Sequence, residues 1–282
     1  MTHAPANAHS GWLIDTHAHL DGAEFEGDRE AVLDRARAAG VAAVICPAIS
    51  AASSEAVVRL ARSMPGVACA VGIQPNYAAE ARDGDWDRIV AMASEPGVVA
   101  IGETGLDRHW DFTPFDVQRA FFDRHLRLAQ GLDLPLIIHC REAEEDTLAM
   151  LREAARRRPL RGVIHAFSGD WAFAQACLEL GLFLSFAGSV TYSNKKFIPL
   201  REAARQVASD RLLVETDSPY LTPHPLRGKE KRNEPAHLSL IALALAELRG
   251  QSVEELAAQT TGNAKTLFRA LTCDGAAPPR SP

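Results

Sequence analysis

The chain has 282 residues, 47% of them hydrophobic, with 30 basic against 36 acidic side chains and a formal net charge of −6. That is enough apolar material for a large core in one domain or two, since α/β barrels run to about 250 residues as single units. The acidic balance excludes a broadly basic surface coated for nucleic acid, though not a local basic patch, and no apolar run approaches the ~20 residues of a membrane span.

Taken in chain order, short runs rich in Val, Ile, Ala and Leu alternate with segments of helical period. The first strand is expected at 12–18 (WLIDTHA) and is followed by a helix at 28–39. The next pairs are strand 41–48 with helix 53–63, strand 67–73 with helix 85–94, and strand 98–104 with helix 114–130. The last four are strand 135–140 with helix 143–157, strand 162–167 with helix 171–180, strand 182–188 with helix 196–208, and strand 211–217 with helix 235–249. A further helix near 252–270 is expected to pack outside. The helix at 114–130 carries the fullest set of signals: Thr113 as N-cap, Pro114 at the first helical position, an apolar stripe of Val117, Ala120, Phe121 and Leu128, and Gly131 past its end. Continuous apolar strands are the pattern of a parallel sheet buried on both faces. Eight strand–helix units in one chain fit an α/β fold of the (β/α)8 TIM-barrel type, a single domain over 12–272, with a doubly wound open sheet as the alternative. Residues 1–11 and 273–282 read as loose tails.

Cysteines at 46, 69, 140, 177 and 273 form no CxxC pair, which suits reduced thiols in a cytoplasmic protein. The opening MTHAPANAHSG lacks both the basic start and the apolar stretch of a secretory signal. Nothing in the sequence calls for an obligate protein partner.

Polar residues collect where the strands end. His17 and His19, at the end of the first strand, stand two apart, so in an extended chain they share a face, with Asp15 on it. The fourth strand carries Glu103, the fifth His139, the sixth His165, and the eighth Glu215 and Asp217. In a barrel those ends surround a single mouth, where active sites sit. Taken singly, a histidine there is more often a hydrogen-bonded core residue, and Asp217 could be a turn residue before Pro219. Those readings would have to hold independently at five strand ends, each burying a polar group at a cost. Imidazoles and carboxylates together, with no cysteine, describe a divalent-metal site. His3, His9, His125 and His237 read as solvated or structural, whereas His109 and His224 are as much candidates for substrate contact as for packing.

The ligand set suggests two ions. The lysines, at 195, 196, 229, 231 and 265, all lie outside the strands, so none offers a carboxylated bridge. Glu103 is then the bridge, with His17, His19 and Asp217 on one ion and His139 and His165 on the other. Two ions ~3.5–4 Å apart lower the pKa of a shared water and clamp the oxygens of a displacement. Zn, Mn, Fe or Ni suits the imidazoles, and Mg is admitted by carboxylates and phosphate.

With these residues in hand the chain closely resembles the TatD-type metal-dependent deoxyribonucleases. The match spans about 12–270 and keeps the order IDTHAHLD, IGETGLDRHW, LIIHCREA, VIHAFSG, LVETDSPYL and RNEP. The resemblance implies a TIM barrel, a divalent-metal phosphodiesterase acting on DNA, and the metal ligands His17, His19, Glu103, His139, His165 and Asp217. Family members are described as deoxyribonucleases, some with 3′ exonuclease activity, and others are linked to aminoacyl-tRNA proofreading. Three positions depart from the family pattern: Gln74 and Asn76 stand where histidines are common, and Arg108 replaces a usual tyrosine. They bear on substrate contacts and leave the hydrolytic ligands intact.

The expected reaction is hydrolysis of a phosphodiester in DNA, single strands or ends being the natural substrates. Asp217 and Glu103 are its catalytic carboxylates, and Glu215 orients a ligand or a water from behind. Arg141, Arg108, Lys229, Lys231 and Arg232 are expected to hold phosphates. An amide or ester hydrolase on the same site, such as a D-aminoacyl-tRNA deacylase, is the competing reading. A non-catalytic nucleic-acid-binding module fits poorly with the acidic charge and the complete ligand set.

Overall fold

The computed structural model describes residues 13–271. Eight parallel strands pair in chain order: β1 (Leu13–Asp15), β2 (Val41–Pro47), β3 (Val67–Val71), β4 (Val98–Asp107), β5 (Leu136–Arg141), β6 (Gly162–Ile164), β7 (Phe183–Phe186) and β8 (Leu212–Val214). Between them run α1 (Arg29–Ala38), α2 (Ala51–Ser63), α3 (Asp85–Met92), α4 (Phe115–Leu132), α5 (Glu144–Arg157), α6 (Trp171–Glu179) and α7 (Ile198–Gln206). After β8 come α8 (Leu238–Arg249) and α9 (Val253–Leu267). The remaining seam, between β8 and β1, is held just beyond the two strands. Asp217 N–H donates to the His17 carbonyl at 2.9 Å, His19 N–H donates to the Ser218 carbonyl at 2.7 Å, and Ala18 pairs in parallel with Ser218. The open-sheet alternative is thereby set aside, and the barrel expectation holds. The expected tails at 1–11 and 273–282, with His3, His9 and Cys273, lie outside the described residues.

The apolar runs are explained by burial on two sides. Outward side chains of the strands meet the helices in the larger core. Inward ones are short or branched (Ile14, Ala43, Ile45, Ala68, Ala70, Val99, Ala100), because strands that converge on a barrel axis leave little room. At the N-terminal end of the strands this inner core is completed by Ala264, Leu267 and Phe268 from α9 and its C-cap. A Ser252 to Glu255 capping box starts that helix. It therefore does more than pack outside, which corrects the expectation. Close strand approach also dictates glycine at 105: its φ is +139°, and a Cβ there would stand 1.9 Å from the His139 carbonyl oxygen.

Local signals were less reliable at helix ends. α4 begins at Phe115 with Pro114 as its N-cap residue, and it runs through Gly131 to end at Asp133 in the left-handed region with φ of 52°. Thr113 does not cap it. Its hydroxyl donates to the Asn76 carbonyl at 3.0 Å and accepts from Ala79 N–H, a tertiary tie that outweighs the local one. The expected helix at 235–249 is a 3-10 turn at Pro235–His237 leading into α8. His237 belongs to that turn's capping box, and His125 is fully buried, its Nε2 accepting from Ile73 N–H. Both are structural.

Candidate metal centre

The residues singled out in the sequence converge at the C-terminal mouth of the barrel. Glu103 lies inside β4 and His139 inside β5, held side by side by the pairing of those strands. His165 follows β6 directly. His17 and His19 lie past the end of β1, and Asp217 past β8, so all three sit on the closing seam. Asp217 has a φ of 55°, in the left-handed region that Asp and Asn tolerate better than most residues.

Glu103 is the hub. Its Oε2 lies 3.4 Å from His17 Nε2 and 3.6 Å from His19 Nε2. Its Oε1 lies 3.1 Å from both His139 Nδ1 and His165 Nε2. One carboxylate thus faces a histidine pair with each oxygen. Asp217 Oδ1 closes the first side, 3.7 Å from each of His17 and His19 Nε2. Donor atoms fall within 4.8 Å of one another in three sets: His17, His19 and Glu103; Glu103, His139 and His165; and His17, His165 and Asp217. The rings of His17 and His165 stack in parallel at 4.0 Å, an arrangement that serves a shared centre better than it serves core packing. A converging set of imidazole nitrogens and carboxylate oxygens, almost wholly shielded from solvent, fits borderline and hard divalent cations. The residues present fit the binding of divalent metal.

The electrostatics show how strongly the cluster asks for positive charge. Burial works to raise Glu103, but the surrounding imidazoles of His165, His139 and His17 hold it well below the usual carboxylate range. Burial likewise opposes charge on His165, yet Glu103 and Glu215 lift it well above its ordinary value. His139 is raised against burial by Asp107 and Glu103. Burial and the neighbouring His165 push His17 down to about 4, and burial raises Asp217 to about 6. The buried carboxylates thus favour positive charge at His139 and His165, the sign a bound cation would bring.

The sequence profile described as TatD related DNase matches residues 14–269. The chain belongs to that family. It is 38% identical over 257 residues to the uncharacterized metal-dependent hydrolase YabD of Bacillus subtilis strain 168, across 91% of this chain and 99% of YabD. It is 36% identical over 258 residues to the 3′-5′ ssDNA/RNA exonuclease TatD of Klebsiella pneumoniae strain 342, across 91% of this chain and 97% of that one. The crystal structure of YjjV, a TatD homolog from Escherichia coli K12, superposes with a TM-score of 0.85 at 32% identity, covering 91% of this chain and 98% of YjjV. Membership makes the chain a metal-dependent hydrolase.

In this TatD-family chain a ring of buried carboxylates stands behind the donors. Glu215 Oε1 accepts from Ala166 N–H at 2.6 Å and lies 3.4 Å from His165 Nδ1, on the far side of that ring from Glu103. Asp15, expected on the face of His17 and His19, instead turns across the seam. It accepts from Thr216 N–H at 2.9 Å and Thr216 Oγ1 at 2.6 Å, tying β1 to the segment that carries Asp217. Burial raises it to about 8, although these hydrogen bonds work to lower it.

Sequence reasoning missed Asp107. Its Oδ2 lies 2.9 Å from His139 Nε2 and accepts from Asn76 Nδ2 at 3.0 Å. Gln74 in turn accepts from Asn76 N–H through its side chain at 2.8 Å. The departures at 74 and 76 therefore bear on the carboxylate behind His139, a candidate metal ligand. The available signal was Asp107 itself, four residues beyond Glu103 on a strand that runs on to it. Asp107→Asn keeps the shape and loses the charge that fixes the His139 tautomer. It is expected to weaken metal affinity by about 10- to 100-fold, read by titrating metal-stripped protein. An unchanged affinity removes Asp107 from the centre.

The expected phosphate contacts divide. The Arg141 guanidinium, exposed beside the Trp110 ring at 5.7 Å, has no hydrogen-bond or ion-pair partner among the described residues. Lys229 and Lys231 are exposed on the loop after β8. Arg108 is engaged elsewhere: it donates to Asp146 at 2.8 Å and lies over the Phe115 ring. Arg232 is a structural clamp, bound to Asp28 at 2.5 Å, to Glu234 and to the Glu24 carbonyl, with its guanidinium over Phe25. Their place in the sequence put both near the mouth, but local carboxylates claim them.

Proposed function

We propose that the protein is a two-metal phosphodiesterase that degrades DNA, a TatD-like deoxyribonuclease acting on single strands or 3′ ends. The observation that carries this reading is the division of Glu103 between two pairs of histidines, one oxygen to each. His17, His19 and Asp217 would hold one ion and His139 and His165 the other. Such ions supply Lewis acidity, lowering the pKa of a water and neutralising charge on the phosphate oxygens.

The rest of the chemistry belongs to the chain. Asp217, at the edge of the cluster, receives or directs the proton lost by the attacking water. Glu215 keeps the His165 ring in register, and Asp107 does the same for His139. Arg141 neutralises a phosphate next to the one being cut, and its freedom from internal partners is what such a role needs. The relatives named as metal-dependent hydrolases and as ssDNA/RNA exonucleases support both the reaction class and the substrate. The cysteines at 46, 69, 140 and 177 are unpaired, in keeping with a reducing cytoplasm. No helix among the described residues is long and apolar enough to cross a membrane.

The test is incubation of metal-stripped protein with end-labelled single-stranded DNA and Mg, Mn or Zn in turn. A metal-dependent ladder shortening from the 3′ end is expected. Inert DNA with every ion, alongside release of the amino acid from a charged tRNA, would move the assignment to ester hydrolysis on the same centre.

The loop after β8, 226–235, carries Arg227, Lys229, Lys231 and Arg232 against Glu230 and Glu234, a local 4 − 2 = +2 in an acidic chain. With Arg232 committed to Asp28 and Arg227 stacked on Tyr192, the two lysines are the cations left for a phosphate chain. Replacing Lys229 and Lys231 by alanine should weaken single-strand binding and flatten the plot of log K against log salt by about 1.4, at roughly 0.7 per contact. Arg232→Ala should instead lower the melting temperature. An unchanged salt slope in the double variant reduces the loop to a solvated surface.

A further inference from the structure

The segment between β4 and α4 holds an exposed aromatic stack that the metal chemistry does not use. Trp110 and Phe112 lie parallel, ring centroids 5.3 Å apart with an interplanar angle of 11°, and remain 44% and 63% exposed. Two large apolar rings held open to water are costly, unlike a single scattered surface residue. Nor is the stack a product of slack chain. Asp107 Oδ1 accepts from both His109 N–H at 2.8 Å and Trp110 N–H at 3.0 Å. At the far end Thr113 is fastened to Asn76, and Gln118 donates to the Thr113 carbonyl at 3.1 Å. The loop is pinned at its base and its end, and the rings project between.

The position gives the occupant. The carboxylate that anchors the start of this loop is the one that touches His139, so the stack is tied rigidly to the metal centre. The unpartnered Arg141 stands over Trp110, adding a cation beside the rings. A flat hydrophobic surface next to a free guanidinium, close to where a phosphodiester would be cut, matches a nucleotide: its base on the rings and its phosphate on the arginine. We infer that Trp110 and Phe112 form a stacking platform for the nucleobase adjacent to the scissile phosphate, so that the enzyme prefers base-bearing single strands over a bare sugar–phosphate chain. This rests on the nuclease reading above. Stacking tolerates every base, so the platform selects for unpaired nucleotides and against none by sequence.

The test compares the metal-reconstituted wild type with Trp110→Ala, Phe112→Ala and Trp110→Phe on two substrates of equal length. One is a single-stranded oligothymidylate and the other its abasic counterpart. The wild type should show the lower KM on the base-bearing strand. Trp110→Ala should raise that KM by about 5- to 100-fold, the usual worth of one stacked base, leaving kcat and the abasic KM nearly unchanged. Trp110→Phe should recover much of the loss. Phe112→Ala, at the more exposed ring, supplies the same comparison should Trp110→Ala melt early. Binding of the oligothymidylate should also quench tryptophan fluorescence in the wild type and less so in Trp110→Ala. Equal KM for the two substrates in the wild type, or equal rises for both in the variants, overturns the platform while leaving the nuclease standing. Failure of the wild type to cut either strand with any ion overturns the nuclease reading and the platform with it.

Discussion

Asp217→Asn should lower kcat on single-stranded DNA by about 10²-fold or more, the usual contribution of a positioned base, while the fold and the melting curve stay close to the wild type. Asparagine is the informative replacement. Residue 217 has a φ of 55°, a conformation in which Asn is nearly as well accommodated as Asp, so the backbone of the seam is preserved. What is lost is a charge and a proton acceptor 3.7 Å from His17 and His19 Nε2. Alanine there would add backbone strain and blur the result. Glu215→Gln serves as the comparison. Its amide oxygen still accepts from Ala166 N–H, so it should cost markedly less than Asp217→Asn. Near-normal turnover by Asp217→Asn takes that residue out of the chemistry, and a larger effect at 215 than at 217 inverts their roles.

The second large effect concerns the hub. Metal analysis of reconstituted wild type should approach two ions per chain. Glu103→Ala should fall to one or fewer and lose about 10³-fold or more in rate, since charge stabilisation by a metal contributes several kcal/mol. Among the described residues, Glu103 is the one group whose two oxygens reach both histidine pairs, at 3.4 and 3.6 Å on one side and 3.1 Å on the other. Its removal also leaves raised imidazoles without their counter-charge, so the metal-free variant should melt earlier than the metal-free wild type. A wild-type ratio that saturates at one ion, or a variant that still binds two, dismisses Glu103 as a bridge.

The sequence was most legible where a local rule was broken by chemistry. Apolar strands that end in His, Glu or Asp marked the centre, because strand ends in a barrel share one mouth and buried polar groups need a reason. The order of strand and helix was legible for a related cause: burial on both faces leaves continuous apolar runs. What stayed hidden depended on partners far along the chain. Thr113 has every local feature of an N-cap but is taken by Asn76, and Asp15 crosses the seam to Thr216. Asp107 looked like part of a loop because β4 continues three residues beyond the expected end at 104. Arg108 and Arg232 were plausible phosphate ligands by position, yet Asp146 and Asp28 are close enough to claim them. Composition cannot say which of several carboxylates an arginine will meet.

The inner core carries a consequence for how the protein is made. Phe268 and Leu267 follow every strand in the chain, yet they finish the seal beneath the inward side chains of β1 through β8. During synthesis the eight strands can be assembled while the lower end of the barrel still admits water, and the last turn of α9 is what shuts it. The nascent barrel should therefore remain open to proteases and chaperones until residue 268 has cleared the ribosome.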